Sequence, residues 1–312
     1  MMIKVLVGII VCILVAIMLV EIKFFRYAIY RYGIKMPDGD DVFTGSRKKY
    51  EDAFREGKAW IDSKNPEQVS IVSNDGLRLH GSLIQVKHPK RTVLCVHGFR
   101  GMGEADFGVI CDFYYEQGCN LLIIDQRAHG SSEGKYITFG TKERYDVVEW
   151  ITFLNERFGE ELPIVLDGVS MGASTVLMAS GFDLPDNVRG IIADCGFTSP
   201  KAIYTHVAKE YYRLPAFPLI PIFGLVCRIV AGFNISEACT KKALAKNTRP
   251  ILFVHGEDDR FVPPYMSEEN YDVCNAECYM QKVAGAKHAQ SYLANTEQCQ
   301  ESITEFFEVI ME

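Results

Sequence analysis

The longest uninterrupted apolar run in the chain is residues 5–20, without a charged or strongly polar side chain. As a helix it is about 24 Å long, short of a hydrocarbon core of ~30 Å. Extending it from Ile3 to Ile22 reaches about the required length, with Lys4 and Glu21 at the two interfaces. The pattern predicts one N-terminal transmembrane helix over residues 1–22. Residues 24–32 then set Phe25, Tyr27, Tyr30 and Tyr32 among basic side chains, which suits either an aromatic belt at a membrane interface or an ordinary linker. Over residues 47–62, Tyr50, Ala53, Phe54, Gly57, Trp60 and Ile61 recur at helical spacing with charges between them. That predicts an amphipathic helix lying on a domain. Residues 23–67 therefore read as a juxtamembrane segment.

From residue 68 the pattern changes to short apolar runs. Residues 68–73 and 77–86 alternate around Asn74-Asp75-Gly76, a hairpin signal. Further strands are predicted at 92–96, 120–125, from Pro163 to the glycine-bounded turn at 168, and at 188–194, 250–255 and 278–283. Helical stretches fall between or after them at 107–116, 142–158, 171–178, 264–274 and 290–311. Strands alternating with helices predict an α/β domain over residues 68–312, with an eight-stranded, mostly parallel sheet covered on both faces. The stretch between residues 194 and 250 is too long for a simple connection. Pro215, Pro218 and Pro221 interrupt its apolar part. Residues 196–247 read as a cap of short helices, its apolar face lining a pocket or facing a membrane.

Composition narrows the function classes. The 312 residues are 48% hydrophobic and 23% charged, ordinary for a globular protein, and a net charge of −7 argues against nucleic acid as a partner. The ten cysteines show no C-x-x-C spacing, which fits buried free thiols in a reducing compartment. Bulky residues 20–25 follow the apolar run where a cleaved signal peptide would need small ones. Lys23, Arg26, Arg31 and Lys35 after the run outnumber Lys4 and the terminal amine before it, which puts the large domain on the cytoplasmic side. An N-x-S sequon at Asn234 points the other way. Nothing in the composition sets the oligomeric state.

The candidate chemistry sits at Gly168-Val169-Ser170-Met171-Gly172, between a predicted strand and a predicted helix. A serine on such a turn is exposed above the sheet beside the unpaired N–H groups of a helix N-terminus. Serine needs a base, and the base an orienting carboxylate. Of seven histidines, His288 follows the last strand in a loop, His255 ends a strand, and His97 and His129 lie in other loops at strand ends. For the acid, Asp259 follows strand 250–255, with Glu257, Asp258 and Asp194 as rivals.

Five motifs, taken together, resemble the α/β-hydrolase superfamily, and most closely its serine aminopeptidase-like and monoglyceride-lipase-like branch of bacterial membrane-anchored hydrolases. They are Cys95-Val-His97-Gly98-Phe99, Asp125-Gln-Arg127-Ala-His-Gly130-Ser, Gly168-Val-Ser170-Met-Gly172, His255-Gly-Glu-Asp-Asp259-Arg-Phe-Val-Pro263 and Gly285-Ala-Lys-His288. The resemblance covers residues 69–311. It implies the α/β-hydrolase fold, with Ser170 as nucleophile, His288 as base and then acid, Asp259 as the orienting carboxylate, and the backbone N–H groups of Phe99 and Met171 as the oxyanion hole. Two positions depart from the usual pattern. Ala128 stands where the loop commonly has glycine, and Lys287 precedes His288 in place of a glycine. The implied activity is hydrolysis of a small, lipophilic acyl ester with no metal or organic cofactor. Peptidase, amidase or acyltransferase chemistry would use the same residues; a binding role with catalysis abandoned is the reading from another class.

Overall fold

The computed structural model of the protein describes residues 2–32, 49–101 and 103–311. Lys35 and residues 47–48, which entered the expectations above, lie outside them.

Eight strands form one sheet in the order β1-β2-β4-β3-β5-β6-β7-β8. They are β1 Glu67–Val72, β2 Arg78–Ile84, β3 Arg91–Val96, β4 Cys119–Asp125, β5 Ile164–Val169, β6 Val188–Asp194, β7 Ile251–Gly256 and β8 Cys278–Val283. The hairpin β1/β2 and the pair β2/β4 are antiparallel; every other pair is parallel. Strands β3 and β7 are buried at every position, as parallel strands covered on both faces must be. One core, with Leu94, Leu122, Trp150, Leu166 and Phe253, lies on one side of the sheet, and a second, with Val93, Phe107, Val165, Phe306 and Phe307, on the other.

Strand β3 sits between β4 and β5, so the chain crosses in opposite directions on either side of it. Ligand sites in such sheets form at this switch point, beyond the carboxyl ends of the strands. Helices α1 Met2–Ala28, α2 Glu51–Ser63, α3 Gly103–Glu116, α4 Glu143–Phe158 and α5 Met171–Ala179 precede or interleave the first strands. The amphipathic helix at 47–62 is found as α2, lying on α3. The two backbones touch at Gly57 and Gly108: a Cβ at Gly57 would lie 2.4 Å from the Gly108 carbonyl carbon. The cap between β6 and β7 holds α6 Pro200–Glu210, α7 Ala216–Val226, a π-helical turn Cys227–Ala231, and α8 Thr240–Leu244. Then follow α9 Tyr265–Asp272, α10 Ser291–Ala294 and α11 Thr296–Val309.

The N-terminal segment departs from its transmembrane expectation. Among the described residues no helix is long and apolar enough to cross a membrane. The apolar run is one part of a longer helix. Helix α1 does not stop at Ile22 but continues to Ala28, and its last turns are packed into protein. Phe25, Ala28 and Ile29 are buried in one cluster with cap residues Tyr204, Ile220 and Phe223, so the end of α1 and the cap share a core. Burying a side chain the size of Phe25 or Ile29 contributes about 1.5–3 kcal/mol. Toward the N-terminus, Val5, Leu6, Ile9, Met18 and Leu19 remain exposed.

One buried ion pair secures the loop after β4. The Arg127 guanidinium donates to both oxygens of Asp146 at 2.6 Å, and to Asp75 at 2.9 and 3.1 Å. Arg127 and Asp146 are almost fully buried. Arg127→Ala strands the Asp146 carboxylate and is expected to cost about 3–5 kcal/mol, read as a lower urea midpoint. Adding Asp146→Leu should recover much of that loss.

Candidate active site

Ser170 stands between β5 and α5 with φ +56° and ψ −111°, a strained backbone that holds its Oγ above the sheet. The turn closes because residue 172 is glycine. A Cβ there would sit 1.8 Å from the Val96 carbonyl oxygen at the end of β3. The Ser170 N–H donates to the Asp194 carbonyl oxygen at 2.8 Å, tying the turn to the end of β6.

The Ser170 hydroxyl lies 2.9 Å from His288 Nε2, and His288 Nδ1 lies 2.7 Å from Asp259 Oδ2. The consistent tautomer has Nδ1–H donating to Asp259 and Nε2 free to take the serine proton. His288 follows β8 and Asp259 follows β7, so three strand ends bring together residues spread over 118 positions. Asp259 Oδ1 accepts the N–H groups of Phe261 and Val262 at 2.8 and 2.9 Å. Burial opposes the Asp259 charge, but His288 and His255 outweigh it and hold the carboxyl well below the usual carboxylate range. The carboxylate therefore stays charged opposite His288.

The other histidines have separate duties. His255 is buried, with Nδ1 2.7 Å from Ser267 Oγ and Nε2 2.8 Å from the Val262 carbonyl oxygen, and it buttresses the Asp259 turn. His97 Nε2 accepts the Gln126 N–H at 3.0 Å. His129 Nε2 accepts the Arg100 N–H at 3.1 Å. Burial, with His97 beside it, pushes His129 well below its ordinary pKa, so that lone pair stays available.

Of the rival acids, Asp194 accepts from Ser291 Oγ at 2.9 Å, its pKa raised to about 6 by burial. Neither Glu257 nor Asp258 has a side-chain bond to His288 among the described residues. The Met171 N–H is the first of α5, where no carbonyl in the helix can reach it. Phe99 follows β3, its loop held by the Gly98 N–H bond to Asp106 Oδ2 at 2.8 Å. A cavity of about 60 Å³ lies behind the site, lined by Phe107, Val169, Ala289 and Leu293 among others. Cys195, Asp259 and His288 offer atoms within 4.8 Å of one another that could hold a metal ion. Two members of that set, His288 Nδ1 and Asp259 Oδ2, are bonded to each other at 2.7 Å.

Sequence reading missed two positions near the site. Asp106 anchors the Gly98 turn, and Arg100 reaches back to the end of α1. The signal for Arg100 was its place directly after Phe99; its partners lie 70 residues earlier in the chain, beyond any local pattern.

This sheet order, switch point and strand–turn–helix serine are those of the α/β-hydrolase fold, and a model of the alpha/beta hydrolase fold family matches residues 91–218. The chain is 26% identical to the uncharacterized protein YqkD of Bacillus subtilis over 275 residues, 88% of each chain. It is 29% identical to an uncharacterized membrane protein of Saccharomyces cerevisiae, covering 67% of this chain and 68% of that one. Among solved structures, an esterase of Pyrococcus furiosus superposes with a TM-score of 0.64 at 23% identity, over 80% of this chain and 94% of that one. At that identity the likeness speaks for the fold.

Proposed function

We propose that the protein is a serine hydrolase that cleaves carboxylic esters of lipophilic acyl groups, held at the cytoplasmic face of a membrane by its N-terminal helix. The observation that carries the reading is the continuous relay from Ser170 Oγ through His288 to Asp259, set at a strained strand–helix turn.

The chemistry follows from that relay. Ser170 Oγ bonds to the ester carbonyl carbon while its proton passes to His288 Nε2. The carbonyl π electrons move to oxygen, and the N–H groups of Met171 and Phe99 receive the resulting charge. Each such donor typically supplies about 3 kcal/mol to the transition state. Asp259 stabilises the imidazolium. The C–O bond to the leaving alcohol then breaks, and the alcohol departs with the proton from His288. Water repeats the sequence on the acyl-enzyme and regenerates Ser170. No step requires a metal or organic cofactor.

The exposed apolar residues of α1, with Lys23 and Arg26 exposed near its end, support attachment to an anionic membrane face. The cap adds exposed Phe217, Leu225 and Ile229. Free thiols throughout agree with a cytoplasmic setting. A relative described as a membrane protein and a structural neighbour described as an esterase lend support.

A panel of short-chain esters, monoacylglycerols and aminoacyl amides tests the substrate class. The esters should be turned over, with kcat/KM rising as the acyl chain lengthens. Faster cleavage of amides than of every ester would overturn the esterase assignment.

A further inference from the structure

We propose that Arg100 is a positioning residue through which the end of the N-terminal helix sets the oxyanion loop. This rests on the serine-hydrolase reading and extends it to a part of the chain outside the hydrolase motifs.

The loop from His97 to Gly101 carries Phe99, whose N–H must face the carbonyl oxygen as it becomes negative. Arg100 follows it directly, with φ +53°, a backbone that a non-glycine residue holds only under constraint. The constraint comes from both ends of the residue. Its N–H donates to His129, and its guanidinium reaches the carbonyls that end α1. Arg100 Nε and one terminal nitrogen donate to the Tyr27 carbonyl oxygen at 3.2 and 2.6 Å. The terminal nitrogens also donate to Tyr30 at 2.9 Å and Arg31 at 3.2 Å. The last carbonyls of a helix lack partners within it and carry its negative dipole end, so a guanidinium fits them in both hydrogen bonding and charge. The Tyr27 ring packs edge-on against Phe99, 6.2 Å between centroids.

The same short segment also grips the loop after β4. The Arg31 side chain donates to the Ser132 carbonyl and, at 2.5 Å, to that of Gly130. Its backbone pairs with that loop as well: the Ile137 N–H donates to the Ile29 carbonyl at 2.8 Å, and the Arg31 N–H to that of Lys135 at 2.9 Å. Residues 27–31 are thus wedged between the two loops beside Ser170. The wedge is seated by Ile29, which is fully buried. Since α1 is also the proposed membrane attachment, its end joins the lipid-facing helix to the charge-stabilising loop.

The test uses the full chain and a water-soluble short-chain ester, with kcat expressed per active site titrated by a fluorophosphonate. Arg100→Ala should lower kcat about 10–100-fold with KM within about twofold, the signature of a misplaced transition-state donor. Arg100→Lys, which keeps a charge but not the fork, should fall between it and the wild type. Ile29→Ala, which loosens the wedge and leaves Arg100 in place, should lower kcat in the same direction, and the double variant should be no worse than Arg100→Ala. If Arg100→Ala does not fold, Ile29→Ala and Arg100→Lys carry the test. A purely structural role predicts a lower melting point with unchanged kcat per titrated site. A kcat for Arg100→Ala within about twofold of wild type, or additive losses in the double variant, would overturn the proposal alone. A wild type that turns over no ester overturns the hydrolase reading and this proposal together.

Discussion

Ser170→Ala is expected to lower ester turnover by about six orders of magnitude while leaving the fold intact. The size follows from the geometry. The Ser170 hydroxyl is the group at hydrogen-bond distance from His288 Nε2, and without it water must attack directly. What survives is the contribution of the oxyanion donors and of substrate binding, which in comparable sites leaves about 10³–10⁴ over water. The fold should hold because the Oγ has no second partner to abandon among the described residues, whereas the backbone bond from residue 170 to Asp194 is kept by alanine. Thermal melting of the variant beside its kcat separates the two effects: a large loss of activity with a wild-type melting point is the predicted pairing.

Asp259→Asn should cost about four orders of magnitude in kcat. The carboxylate accepts a proton-bearing bond from His288 Nδ1 and two backbone N–H bonds, all on a side chain almost wholly removed from water. An amide keeps the shape. It presents an N–H where His288 expects an acceptor, which favours the wrong tautomer and withdraws the charge that stabilises the imidazolium. The same change at Asp194 should have a far smaller effect on kcat, since that side chain bonds Ser291 rather than the imidazole. An Asp194→Asn loss as large as that of Asp259→Asn would move the acid to β6.

The strands of the α/β domain were legible because buried parallel strands are short apolar runs and the loops between them carry their own glycine, serine and aspartate signals. The same held for the relay residues, each of which ends or follows a strand. Choosing Asp259 over Asp258 needed the family pattern, because two adjacent carboxylates differ only in which one the turn after β7 points inward. From sequence the N-terminal segment reads as a membrane span and a linker because its apolar run dominates any local window. That its last turns instead complete the cap core through Phe25 and Ile29, and hold Arg100 through three carbonyls, depends on pairings across roughly 70 to 200 positions. Hydropathy has no access to those. The fold of the cap was similarly opaque: three prolines in its apolar part hide where α7 begins.

The most direct measurement of the central claim is reaction of the 312-residue chain with a fluorophosphonate, located by peptide mass spectrometry. The P–F bond breaks, Ser170 Oγ bonds to phosphorus, and fluoride leaves with the serine proton. A single adduct on the peptide containing Ser170, absent from Ser170→Ala and strongly slowed in Asp259→Asn, is the predicted result. Folded wild type that carries no adduct, or carries it on another residue, would contradict the account.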